Sequence, residues 1–144
     1  MTAGPEDGDG ARRAMQQALH QAGVEASQVQ HLNAHATSTP VGDKGELAAI
    51  KALFGKDSGL AISSTKSATG HLLGAAGGIE AIFTVLALRD QVAPATLNLE
   101  SPDAAAEGLN LIRGRAQHLP MEYALSNGFG FGGVNASVLF RRWI

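Results

Sequence analysis

Ser63 to Glu80 reads SSTKSATGHLLGAAGGIE, and the rest of the chain is organised around it. A short apolar run, Leu60 to Ile62, leads into small hydroxyl residues. Lys66 and His71 then lie five positions apart in a Thr/Gly-rich loop. An apolar helix is expected from Leu72 to Leu88, with Gly74, Gly77 and Gly78 at its start. The order is strand, polar loop, buried helix. In an open α/β sheet the carboxyl ends of the strands are where ligands bind. A basic side chain and an imidazole beside a helix N-terminus suit a developing anion there.

The flanking sequence repeats this order. Ala11, Ala14, Met15, Ala18, Leu19 and Ala22 follow helical spacing, with Asp9 as the expected N-cap and Gly23 as the stop; Met1 to Gly10 reads as loop. Val29 to Asn33 is a strand, Ala34 to Gly42 (AHATSTPVG) a polar loop, and Asp43 to Phe54 a helix ended by Gly55. Past the third helix the pattern changes. Pro94 to Glu107 is irregular, and Leu109 to Ile112 is a short edge strand. Tyr123 to Asn127 and Asn135 to Phe140 are strands joined by Gly128 to Val134. Alternating strands and helices followed by a strand pair predict a layered α/β fold with a mixed sheet, as one domain over 1–144. No strand precedes the first helix, so the chain is expected to start inside a longer domain.

Composition narrows the function classes. At 44% hydrophobic and 17% charged the chain reads as globular, and a net charge of −2 without long charge runs argues against nucleic acid or an anionic membrane as partner. The one long apolar segment carries glycines and Glu80, which fits a packed protein helix better than a bilayer span. The acidic, Gly-rich start is not a signal peptide, so the cytoplasm is the expected location. The absence of cysteine excludes disulfides, thiolate metal sites and a cysteine nucleophile on this chain.

The residues able to carry chemistry converge on the strand ends. His35 and His71 hold equivalent places in successive strand–loop–helix units, where two imidazoles could serve one carbonyl oxygen as donors, or act as acid or base. Either histidine alone reads sooner as a satisfied loop residue; the matched placement favours function. Lys66 could neutralise a carboxylate or tune an imidazole. Asp43 and Glu46 suit the start of a helix, and Glu46 could pair with Lys66. Thr37 and Thr39 offer hydroxyls to a polar substrate arm, or cap a turn. Backbone amides in the glycine loop could form an oxyanion hole, with Phe129 and Phe131 as apolar walls or a gate. No metal-binding spacing is present, and the glycine loop lies between strands, which excludes a dinucleotide fingerprint.

Three long stretches, HLNAHATSTPVGDKGE, SSTKSATGHLLGAAGGIEA and ALSNGFGFGGVNAS, together resemble the β-ketoacyl-acyl-carrier-protein synthases, in particular the elongating synthase II type with a Cys-His-His site. The resemblance spans nearly the whole chain. It implies the C-terminal half of a thiolase-like fold, with the half's first strand, which belongs inside the sheet, missing before Met1. It implies a decarboxylative Claisen condensation of malonyl carrier protein with an acyl thioester, in fatty acid biosynthesis. Acyl carrier protein would be the partner, its phosphopantetheine arm would carry both thioesters, and the full-length family would be a homodimer. No other cofactor is implied. By motif match, His35 and His71 would bind the malonyl thioester oxygen, with Lys66 supporting His71 and Glu46 meeting Lys66. Thr37 and Thr39 would contact the pantetheine arm. Phe131 would be the gating phenylalanine.

The family's cysteine nucleophile is missing, so the isolated chain is expected to be inactive. The alternative is a non-catalytic partner, akin to a chain-length factor, that pairs with a Cys-bearing chain. Thiolase activity would require a second cysteine near the glycine loop, and synthase III would place asparagine at His71.

Overall fold

The computed structural model describes residues 7–143. The reading of 1–6 as loop lies outside the described residues. Four α-helices and seven strands follow in order: α1 Asp9–Ala22, β1 Val29–Asn33, α2 Pro40–Phe54, β2 Ala61–Ser63, α3 Lys66–Thr69, α4 Ala76–Asp90, β3 Val92–Ala93, β4 Asn110–Leu111, β5 Gln117–His118, β6 Tyr123–Phe129 and β7 Asn135–Arg141.

The main sheet has the order β4-β2-β1-β6-β7. β4, β2, β1 and β6 run parallel, and β7 returns antiparallel to β6. β1 is hydrogen-bonded on both sides, with Leu32 opposite Ile62 and Leu125. The interior of the sheet therefore has no empty lane, and the expectation of a missing inner strand is corrected. The strand that leads into His35 is itself the central one. β3 and β5 form a separate two-stranded ribbon.

Helices cover both faces. Met15 and Leu19 of α1 and Ile50 of α2 pack on Leu32, Ile62 and Leu125. Ala87 and Leu88 of α4 pack on Met121 and Ala124 on the opposite face. α1 starts after Gly8, at φ 68°, where a Cβ would fall 1.9 Å from the Gly45 carbonyl oxygen; this position keeps the two helices in contact only as glycine. Asp9 is not the N-cap. It lies in the first turn and pairs with Arg12 and Arg13. α2 begins at Pro40, earlier than expected, because Thr39 is extended and proline suits the first helical position.

The stretch from Ser63 to Glu80 is more broken than its composition implies. Lys66 and its neighbours form the single turn α3, ended by Gly70 at φ 74°. His71 follows, then a 3-10 turn at Leu73–Ala75, and only then α4. Nor is α4 buried all round. Glu80, Thr84, Ala87 and Leu88 face the sheet, whereas Ile82 is 59% and Val85 45% exposed. A Cβ at Gly74, Gly77 or Gly78 would meet nothing within 4 Å, so these glycines do not mediate close packing within this chain.

Candidate functional site

β1 and β2 deliver His35 and Lys66 to the same edge of the sheet, the carboxyl end of its parallel strands. The chain leaves β1 through Ala34, whose N–H still donates to the Ser63 carbonyl (2.8 Å). The buried Glu46 carboxylate on α2 then accepts the N–H groups of His35 and Ala36, both at 2.8 Å, and the Asn127 amide of β6 at 3.1 Å. Burial pushes this carboxyl up from its ordinary range, while the three donors pull it back. Glu46 thus fixes the backbone that carries His35 and does not reach Lys66, which corrects the expected Glu46–Lys66 contact. Asn127 is held in turn by Ser137, whose hydroxyl donates to its carbonyl oxygen at 2.7 Å.

Lys66 is 7% exposed. Its ammonium donates to the carboxylate of Glu80 on α4 at 2.6 Å and to Nδ1 of His35 at 3.4 Å. No described hydrogen bond joins it to His71, so its support goes to His35 instead. Glu80 is the one charged residue in the apolar run from Ala76 to Leu88, and that isolation is a sequence signal for a buried partner.

The His35 ring is half-buried and constrained. Nδ1 faces two groups that can only donate, the Phe129 N–H at 3.3 Å and the Lys66 ammonium. Its lone pair must therefore lie at Nδ1, which leaves the proton on Nε2. Burial first, then the Lys66 and His71 charges, push the His35 pKa down to about 4. At neutral pH this imidazole is uncharged and is an Nε2–H donor.

The His71 ring stands edge-on to His35, with centroids 5.6 Å apart, and the Phe129 ring is tilted against His35 at 5.4 Å. His71 itself is exposed. Phe131, at the tip of the β6–β7 loop, is 77% exposed and forms no wall within this chain. Thr37 and Thr39, with hydroxyls 3.3 Å apart, line a cleft of about 850 Å³ together with Lys66, Ser67 and His71. Among the described residues no three histidine or carboxylate side chains converge as a metal site.

A pair of imidazoles, one with its tautomer fixed, at the carboxyl end of the parallel strands can donate hydrogen bonds to a negatively charged carbonyl oxygen. The fold around it recurs in solved structures. A β-ketoacyl synthase from Burkholderia phymatum matches 92% of this chain at TM-score 0.88 and 44% identity, with the match covering 32% of that chain. A type II polyketide ketosynthase in complex with its acyl-carrier protein, bound to the hexaketide, matches all of it at TM-score 0.94 and 34% identity, over 35% of that chain. The architecture is thiolase-like.

The sequence assigns the family. Residues 1–100 match the C-terminal domain of the β-ketoacyl synthases, and the chain belongs to that family. It is 51% identical to 3-oxoacyl-[acyl-carrier-protein] synthase 2 of Rhizobium meliloti over 99% of its own length, and spans about a third (34%) of that relative.

Proposed function

We propose that this chain supplies the decarboxylating wall of a 3-oxoacyl-[acyl-carrier-protein] synthase of fatty acid biosynthesis, as one domain acting in the cytoplasm. Malonyl carrier protein presents its thioester along Thr37 and Thr39. The bond between the malonyl α-carbon and its carboxylate breaks, and carbon dioxide leaves. The electron pair moves into the enolate, whose oxygen accepts hydrogen bonds from His35 Nε2–H and from His71. The enolate carbon then attacks an acyl thioester held on a cysteine outside this chain. A carbon–carbon bond forms and the cysteine thiolate departs. Phe131 gates the approach to that cysteine.

The observation that carries this reading is the fixed tautomer of His35. A neutral donor, held by a backbone N–H and a buried lysine, stabilises the enolate oxygen without reorganising, and it does so in a site that needs no added cation. The isolated chain is inactive in condensation because it holds no cysteine.

The test is reconstitution with a Cys-bearing N-terminal portion from a synthase 2, followed by carbon dioxide release from malonyl carrier protein and by condensation. Both should appear with the wild-type chain. In His35→Ala and His71→Ala both should fall by two to three orders of magnitude, the scale for loss of an oxyanion donor. Undiminished release in His35→Ala would sink the proposal. A second reading follows from the bare outer face of α4, namely a non-catalytic subunit that pairs with a separately encoded Cys-bearing chain. A reconstituted complex with cysteine-dependent condensation that ignores both histidine substitutions would favour it.

A further inference from the structure

Glu46 is a buried carboxylate with no described ion pair, since the site lysine is committed to Glu80. Its charge rests on three neutral donors: the N–H groups of His35 and Ala36 and the carboxamide of Asn127. Burial pushes the carboxyl up, the three donors bring it down, and the charge of Asp43, one turn earlier on α2, pushes it up again. A carboxylate only accepts, so the NH2 end of Asn127 must face Glu46. That leaves Asn127 Oδ1 in need of a donor at a residue only 1% exposed. Ser137 supplies it. The two residues stand directly opposite each other in the β6–β7 pairing, and the Ser137 hydroxyl donates to Oδ1 at 2.7 Å. A hydrogen bond to the oxygen of a buried amide also polarises it and strengthens donation from its other end. Met15 Sδ, at 3.3 Å from Asn127 Nδ2, completes the surroundings of the carboxamide.

We infer that Ser137 is a positioning residue for His35, acting through Asn127 and Glu46. The contacts run from the antiparallel strand β7 across β6 to α2, and from there to the backbone that leaves β1. Without the hydroxyl, Oδ1 is left unpaired and the carboxamide gains by turning away from Glu46. The carboxylate then grips the His35 and Ala36 amides with one donor fewer to hold it in place. The hold on His35 is a property of the folded chain; its consequence for the enolate rests on the proposed function.

The test is NMR of the full chain through an acid titration, reading the Glu46 carboxyl carbon and the amide protons of His35 and Ala36. Ser137→Ala removes the hydroxyl, and Ser137→Thr keeps it. The expected result in Ser137→Ala is a Glu46 midpoint raised by about 0.5–1 pH units, the scale for one weakened hydrogen bond to a charged group. The His35 and Ala36 amide protons should move upfield as their bonds to the carboxylate lengthen, and Ser137→Thr should restore both readings. A purely structural hydroxyl would lower the urea midpoint of Ser137→Ala and leave these signals at their wild-type values, and that result overturns the inference. In the complex reconstituted with a Cys-bearing portion, carbon dioxide release should fall about three- to tenfold in Ser137→Ala and recover in Ser137→Thr. Wild-type release in Ser137→Ala, with release lost in His35→Ala, would also overturn the positioning role while the proposed function stands. Release that survives His35→Ala would sink the proposed function, and the amide signals would then decide the hold on His35 by themselves.

Discussion

The two sides of α4 invert the usual order of a surface helix. The side against the sheet carries Glu80 and Thr84, both essentially inaccessible, and the side facing outward carries Ile82 and Val85 with Gly77 and Gly78 at its start. The inner polarity is satisfied. Glu80 holds Lys66, Thr84 donates to the Glu80 carbonyl at 2.8 Å, and Asn33 donates to the same carbonyl at 3.4 Å. On the outer side, Ile82 and Val85 remain 59% and 45% exposed. The inward side serves the site, because it locks the lysine that faces His35. Under the proposed function the outward side is where the Cys-bearing portion packs, and its exposed apolar side chains contribute little to the stability of the chain by itself.

The largest effect should come from the inner side. Glu80→Ala leaves the Lys66 ammonium buried without its partner, and should cost about 3–5 kcal/mol in urea unfolding. Lys66→Met/Glu80→Leu removes both charges together and should recover most of that loss. A double variant as unstable as Glu80→Ala would mean that shape, not charge, makes this side. The next effect is that of pH. The folded-state pKa of His35 lies at about 4, below its ordinary value of 6.5. The folded chain therefore binds fewer protons than the unfolded one between those values. The stability linked to His35 is complete above pH 6.5 and is lost as pH falls toward 4. Urea midpoints across that window should show the loss, and His35→Gln should flatten it.

The outward side should respond least. Gly78→Ala has open space around it and should stabilise α4 by roughly 0.5–1 kcal/mol. Ile82→Lys should change the stability of the isolated chain by less than about 0.5 kcal/mol, yet abolish association with a Cys-bearing N-terminal portion. A large intrinsic destabilisation by Ile82→Lys, seen by thermal melting, would show that the outward side is packed after all.

Much of this was legible in the sequence. The helical spacing of Ala11 to Ala22 and the compact apolar strands need only local periodicity, and β1 is legible over its full length, Val29–Asn33. The matched positions of His35 and His71 foretold a pair, and their rings do meet. The carboxylate assignment was not legible. Glu46 and Glu80 are both acids on helices near the site, and which one reaches Lys66 depends on the crossing of α4 over the sheet. The loop expected before His71 holds a helical turn that Gly70 ends at φ 74°, and the helix expected from Leu72 opens as a 3-10 turn before α4; a left-handed glycine is invisible to periodicity. The missing inner strand is implied by the resemblance, with which the helix at the start agrees, yet the central lane is filled by β1 and its neighbours. The apolar run of α4 signalled burial, but burial depends on what lies opposite, and composition is silent about that.

The chemistry of the site turns on one proton. Nitrogen-15 NMR of the imidazoles in histidine-labelled protein at pH 7 reads it directly. His35 should show a bare Nδ1 and a protonated Nε2, with a titration midpoint near 4. A midpoint near 6.5, or a proton on Nδ1 at neutral pH, would contradict the claim that His35 is a prearranged neutral donor.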